Sequence, residues 1–129
     1  MKYLVDTHTF LWAIRSPEEL TSKARNIFAD PSAELLLSIV VPWEMAIKSG
    51  LGKLKQAENV LKDFDNLVAA GGYRSLETLA KHVIRSGFLP LHHRDPFDRL
   101  LAAQALDLQI PIISADEAFD RYGVQRVWK

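Results

Sequence analysis

The chain contains no cysteine, which excludes a disulfide scaffold, a thiolate zinc site and cysteine chemistry of any kind. It has no surplus of charge either. Its 16 Lys plus Arg stand against 16 Asp plus Glu, for a formal net charge of zero. Charge-driven, non-specific adhesion to nucleic acid is therefore disfavoured, although a local basic rim around an acidic pocket stays compatible with neutrality. No apolar run is long enough to span a bilayer. The first residues, Met1-Lys2-Tyr3-Leu4-Val5, meet an acid at Asp6, where a secretory signal needs an uninterrupted apolar stretch. A cytoplasmic location is expected. Repeats, low-complexity tracts and interdomain linkers are missing, as are a Gly-rich phosphate loop after the first apolar run and a nucleophile elbow. What remains is a 129-residue chain, 48% apolar and 25% charged, the composition of a soluble globular protein. Folding at this length withdraws roughly two-thirds of the unfolded surface from water, enough for a core without metal or disulfide support. One domain over residues 1–129 is expected.

Short apolar runs alternate with amphipathic stretches. Tyr3-Leu4-Val5 reads as a strand ending at Asp6, with helix-compatible residues over 8–14. Ser16-Pro17 can cap and begin the next helical segment, Thr21 can cap another through Phe28, and Asp30-Pro31 breaks it. Residues 35–41 form a second apolar run whose β-branched end favours a strand, and Pro42 starts a helix that runs to Gly50. Two amphipathic helices are predicted over 57–70 and 75–85, separated by Gly71-Gly72. A third strand is predicted at 88–91, bounded by Gly87 and His92-His93-Arg94. Asp95-Pro96-Phe97-Asp98 opens a helix with Phe97, Leu100, Leu101 and Ala105 on one face. Residues 110–113 read as the fourth strand, Ser114-Ala115-Asp116-Glu117 as the start of a short helix, and 124–128 as the fifth strand. This alternation implies an α/β fold of three layers, α/β/α, around a parallel sheet of about five strands.

In such sheets ligands bind beyond the carboxyl ends of the strands. Asp6 follows the first predicted strand, and Glu44, Asp98 and Asp116 fall in the first turns after the second, third and fourth. Four acids should therefore converge on one edge. Carboxylates crowded in a partly dehydrated cleft raise one another's pKa unless a cation neutralises them, and a hard divalent ion, Mg²⁺ or Mn²⁺, suits oxygen ligands. Each acid also has a purely structural reading. Asp95 and Asp98 fit an N-cap and a first-turn acid, Ser114 to Glu117 spells a capping box, and Glu44 can pair with Lys48 one turn later. Asp6 has no evident structural duty. His92 and His93 lack the helical spacing of a zinc motif and read as loop residues near the cleft mouth. His8 can line the pocket, and Trp12 and Trp43 read as core.

The resemblance to a family rests on Tyr3-Leu4-Val5-Asp6-Thr7-His8-Thr9, on Trp43-Glu44-Met45-Ala46-Ile47-Lys48 with Gly50-Leu51-Gly52-Lys53-Leu54, on residues 92–105 from His92 to Ala105, and on Ser114-Ala115-Asp116. Over nearly its whole length the chain resembles a PIN-domain ribonuclease of the VapC toxin type. It departs where relatives often carry a small polar residue in place of Val41 and a leucine-like one in place of Pro42. The resemblance implies a Mg²⁺- or Mn²⁺-dependent endoribonuclease, a VapB-like antitoxin partner and a homodimer, with Asp6, Glu44, Asp98 and Asp116 as catalytic and metal-binding acids. Thr7 and Ser114, each beside an acid, can donate hydrogen bonds to a metal-bound water or phosphate, and Arg99, adjacent to Asp98, reads either as a contact to the scissile phosphate or as a solvated charge on an exposed helix face. Lys48, Lys53, Lys55 and Arg94 are candidates for the RNA-contacting rim, and the RNA is expected to be unpaired where it is cut. The helices around Trp12 and over 57–70 are candidates for a groove or dimer face. Competing readings are a PIN-like module that binds RNA or protein without cutting, a receiver-type signalling domain and a haloacid-type phosphatase. The receiver reading lacks an acid beside Asp6 and one ending the third strand. The phosphatase reading lacks a second acid two residues after Asp6, where His8 stands.

Overall fold

The computed structural model describes residues 1–92 and 94–129. Five parallel strands form one sheet: β1 Lys2–Val5, β2 Glu34–Ser38, β3 Arg74–Leu76, β4 Ile112–Ile113 and β5 Arg126–Val127, in the order β3-β2-β1-β4-β5. Leu4 pairs with Leu36 on one side and with Ile112 on the other, so β1 is central. Successive strand residues face opposite sides of a sheet, yet Leu4, Val5, Ile112 and Ile113 are all fully buried. Both faces are covered, giving the three layers expected.

The covering helices are α1 Thr7–Arg15, α2 Ser22–Ala29, α3 Val40–Gly50, α4 Ala57–Lys62, α5 Phe64–Ala70, α6 Ala80–Phe88 and α7 Pro96–Leu108, with 3-10 turns at Pro17–Glu19 and Glu117–Tyr122. Thr21 caps α2 and Asp95 caps α7 through their side chains. Ser16 makes no side-chain cap for the turn that follows it. The stretch 57–70 is two helices, broken at Asp63, whose φ of −120° and ψ of 25° leave the helical region.

The third strand lies elsewhere than predicted. Arg74–Leu76 pairs with Leu36, Leu37 and Ser38 at the sheet edge, and its exposed Arg74 and Ser75 give no apolar signature. Residues 88–91 form no strand: Phe88 ends α6, and the chain around it is held by Arg99, whose guanidinium donates to the carbonyl oxygens of Ser86 (2.7 Å), Leu89 (3.0 Å) and Pro90 (2.9 Å). Strand β2 also stops early. The Ser38 hydroxyl, buried, accepts the Val40 N–H at 3.1 Å, turning the β-branched residues Val40 and Val41 into the first turn of α3. Pro42 then sits where helix N–H groups have no intrahelical partner, so its missing donor costs little. Among the described residues no helix is long and apolar enough to cross a membrane.

Candidate functional site

The chain runs from β1 outward to β2 and β3, then returns to place β4 on the other flank of β1. This reversal opens a crevice at the carboxyl ends of β1 and β4, and a cavity of ≈ 370 Å³ lies at this end of the sheet. Asp6, Glu44, Asp95, Asp98 and Asp116 line it, with Thr7, His8, Trp12, Lys48 and Ala115.

Each acid is placed by its element. Asp6, directly after β1, is the N-cap of α1: its Oδ1 accepts the Thr9 N–H at 2.9 Å. The duty that the sequence did not reveal is thus a helix cap. Its other oxygen accepts from the Ser114 hydroxyl at 2.5 Å, and Ser114 in turn accepts the Asp116 N–H at 3.0 Å. Ser114 is therefore a bridge between β4 and Asp6, and the predicted capping box does not form. The cap of the following turn is Asp116, whose Oδ1 accepts the Ala118 N–H at 2.9 Å. Glu44, 2% exposed, accepts from the Thr7 hydroxyl at 2.5 Å and from Lys48 Nζ at 2.5 Å. Lys48 also binds Asp95 at 2.9 Å. Asp98 reaches the cavity from the first turn of α7, after a loop rather than a strand.

Crowding and burial shape the electrostatics. Burial pushes the Asp6 carboxyl above its ordinary range, against the hydrogen bonds from Ser114 and Thr9. Asp98 is pushed up to about 8, first by burial and then by the charges of Asp95, Glu44, Asp6 and Asp116. Asp95 moves the other way. Burial favours its neutral form, but Lys48 outweighs that and holds it below the usual carboxylate range. For Lys48, burial opposes the charge, and the two carboxylates more than compensate, raising its pKa. Oxygens of Glu44, Asp95 and Asp98 all lie within 4.8 Å of one another. An all-oxygen donor set this compact fits a hard divalent cation.

The remaining sequence-derived candidates are distributed differently. Thr7 and Ser114 are buried and orient acids. Arg99 is not an exposed phosphate ligand: it is 8% exposed and spends its donors on the α6–α7 connection and the Tyr122 hydroxyl. Lys48 lies inside the cavity, not on its rim, whereas Lys53, Lys55 and Arg94 are exposed. His8 lines the cavity and tilts against Trp12. His92 is exposed and stacks near Tyr122 at 5.3 Å. His93 lies outside the described residues. Trp43 is half-exposed and meets the Phe97 ring edge-on at 4.7 Å, so it is not core. Val41 is fully buried and does not line the cavity, and its lack of a polar group leaves the cleft untouched. Asp95 is the site residue that sequence reasoning read only as a cap. The signal was present in Asp95 and Asp98 lying one helical turn apart.

Residues 3–125 match the model of the PIN domain family, and the chain belongs to that family. Solved structures share its fold along nearly their whole length. A chain of VapBC2 from Rickettsia felis, bound to a DNA fragment from its promoter, is 18% identical with a TM-score of 0.71, covering 100% of each chain. One of DNA-bound VapBC from Salmonella typhimurium is 16% identical with a TM-score of 0.68, covering 98% of this chain and 97% of that one. One of FitAB bound to an IR36 DNA fragment is 18% identical with a TM-score of 0.64, covering 98% and 94%. No curated protein matches the chain in sequence.

Proposed function

We propose that this single PIN domain is a Mg²⁺- or Mn²⁺-dependent endoribonuclease that acts in the cytoplasm as the toxin of a VapBC-type pair. The observation that carries this reading is the convergence of Asp6, Glu44, Asp95, Asp98 and Asp116 on one cavity, with the Asp98 carboxyl driven up to about 8 by burial and then by its acidic neighbours. Glu44, Asp95 and Asp98 would hold the ion, with Asp6 and Asp116 beside them. When bound, such an ion activates water and offsets the charge that develops on a phosphodiester under in-line attack. The protein's own groups prepare that arrangement. Thr7 fixes one Glu44 oxygen, and Ser114 fixes one Asp6 oxygen, so neither carboxylate has to reorganise when substrate arrives. The exposed cations Lys53, Lys55 and Arg94 suit backbone phosphates of an unpaired RNA segment.

Relatives named VapBC and FitAB are two-component complexes, which supports a VapB-like antitoxin partner. An antitoxin Arg or Lys entering among the carboxylates would block the cleft by replacing the cation. A homodimer has its own support. Ile39, Trp43, Ile47 and Leu51 form an exposed apolar stripe along α3, and Leu79, Val83, Ile84 and Phe88 do so along α6. Both helices pack on α7. A stable association covers about 800 Å² per partner, and eight such side chains supply much of that area, whereas α1 turns Trp12 into the cleft. Phe88→Arg combined with Ile47→Arg, both at exposed positions, converts the dimer to a monomer in light scattering. A wild-type monomer would exclude this arrangement.

The test of the activity is cleavage of an unpaired, dye-labelled RNA. Cutting requires Mg²⁺ or Mn²⁺, stops in EDTA, and stops in Asp6→Ala and Asp98→Asn. Cutting that survives EDTA would refute the mechanism.

A further inference from the structure

Lys48 is one turn after Glu44 on α3, and its ammonium lies 2.5 Å from Glu44 and 2.9 Å from Asp95. It thereby bridges two of the three carboxylates whose oxygens gather within 4.8 Å. The side chain is 23% exposed, and the ammonium is 5.7 Å from the centre of the Phe97 ring, so an aromatic face also favours its charge at this position. An exposed i, i+4 pair is worth little, but this one reaches a buried glutamate and a second helix. It ties α3 to the N-terminus of α7, the two elements that carry the carboxylate triad. The same few ångströms cannot hold both this ammonium and a divalent ion, because two cations at such separation in a partly dehydrated cleft repel strongly.

We infer, resting on the reading of the cleft as a divalent-metal site, that Lys48 is a resident counter-cation: it holds Glu44 and Asp95 together in the metal-free protein and gives up that place when a divalent ion enters. The flexible four-carbon stem permits the ammonium to move without moving the helix. Lys48 thus stabilises the empty cleft and sets how much metal is needed to fill it.

The experiment is calorimetric titration of the full chain with Mn²⁺, paired with thermal melting in EDTA and in Mn²⁺. The variants are Lys48→Met, Lys48→Gln and Lys53→Met. Lys48→Met is expected to bind Mn²⁺ about tenfold or more tightly, to melt below wild type in EDTA and to gain more than wild type from Mn²⁺. Lys48→Gln keeps an N–H donor for the carboxylates without the charge. It shows the same tightening with a smaller loss in EDTA, so the inference remains testable should Lys48→Met fold poorly. Lys53→Met removes an equal charge from an exposed position and changes affinity less than about twofold, because solvent and salt screen it.

Wild-type binding of Mn²⁺ with no tightening in the Lys48 variants would overturn the inference and leave the metal reading intact. Equal tightening in Lys53→Met would also overturn it, since overall charge would then explain the effect. Binding by a Lys48 variant but not by wild type supports it in the strongest form. Binding by none of the proteins removes the metal reading and this inference with it.

Discussion

Two clusters of polar side chains, each anchored on buried residues, can be set side by side. One lies between α6 and α7. There the Ser38 hydroxyl donates to Gln104 Oε1 at 2.6 Å, and Gln104 Nε2 donates to the Glu77 carbonyl at 3.2 Å. His82 Nδ1 accepts the Leu79 N–H at 3.0 Å, while its Nε2 lies 3.3 Å from Asp107, which pairs with Lys81 at 3.2 Å. The other set is the cleft. Among the described residues no buried side-chain nitrogen or oxygen lacks a hydrogen-bond partner, so satisfaction does not separate the two. Charge does. The α6–α7 network sets Asp107 against Lys81 and His82, whereas five carboxylates line the cleft together with Lys48 and His8. The first arrangement is complete as a clamp. The second crowds carboxylates so closely that burial and neighbouring charges raise Asp98 to about 8, and a cation relieves such crowding.

Breaking each set should therefore have opposite consequences. The largest effect is expected from Asp98→Asn: RNA cleavage falls by about 100-fold or more, while melting in EDTA above about pH 8, where Asp98 would be ionised, shows the metal-free variant more stable than wild type. Gln104→Ala reverses that pattern. It opens a cavity and strands the partners of the amide, costing about 3 kcal/mol in urea unfolding with Mn²⁺ affinity unchanged. Arg99→Leu strips the α6–α7 connection of its donors and costs about 2 kcal/mol by the same measurement, again without loss of Mn²⁺ affinity.

The smallest effect sharpens the comparison through pH. The Asp98 pKa rises from 3.8 to about 8 on folding, so its contribution to stability is complete below the ordinary value and is lost as pH rises through about 8. Asp6 shifts in the same direction. Asp95 shifts downward, so its contribution is lost only in acid, below the ordinary carboxylate range. In EDTA the melting temperature should fall as pH rises from about 5 to 8.5, and Asp98→Asn should flatten that slope. A flat wild-type profile would mean that the carboxylates are not in conflict.

The layers, the parallel sheet and the convergence of Asp6, Glu44 and Asp116 on one cavity were legible because apolar runs and the acids beside them are local signals, whereas Asp98 reaches the same cavity after a loop where a strand was expected. What escaped was non-local. Strand β3 is three residues of Arg74-Ser75-Leu76, specified by pairing with β2 rather than by its own pattern. The stretch 88–91 looks like a strand only until Arg99 is seen holding its carbonyls. Lys48 read as a rim charge because nothing in the chain says that Asp95, distant in sequence, completes its second contact. Asp95 itself shows how a residue can be a helix cap and a site residue at once. Its Oδ1 caps α7 and its Oδ2 faces Lys48, and a sequence reveals only the first.

The most direct measurement is anomalous diffraction from crystals soaked in Mn²⁺. A peak coordinated by oxygens of Glu44, Asp95 and Asp98 is expected, with the Lys48 ammonium withdrawn from them. A cleft without a peak at saturating Mn²⁺, and Lys48 still seated between Glu44 and Asp95, would contradict it.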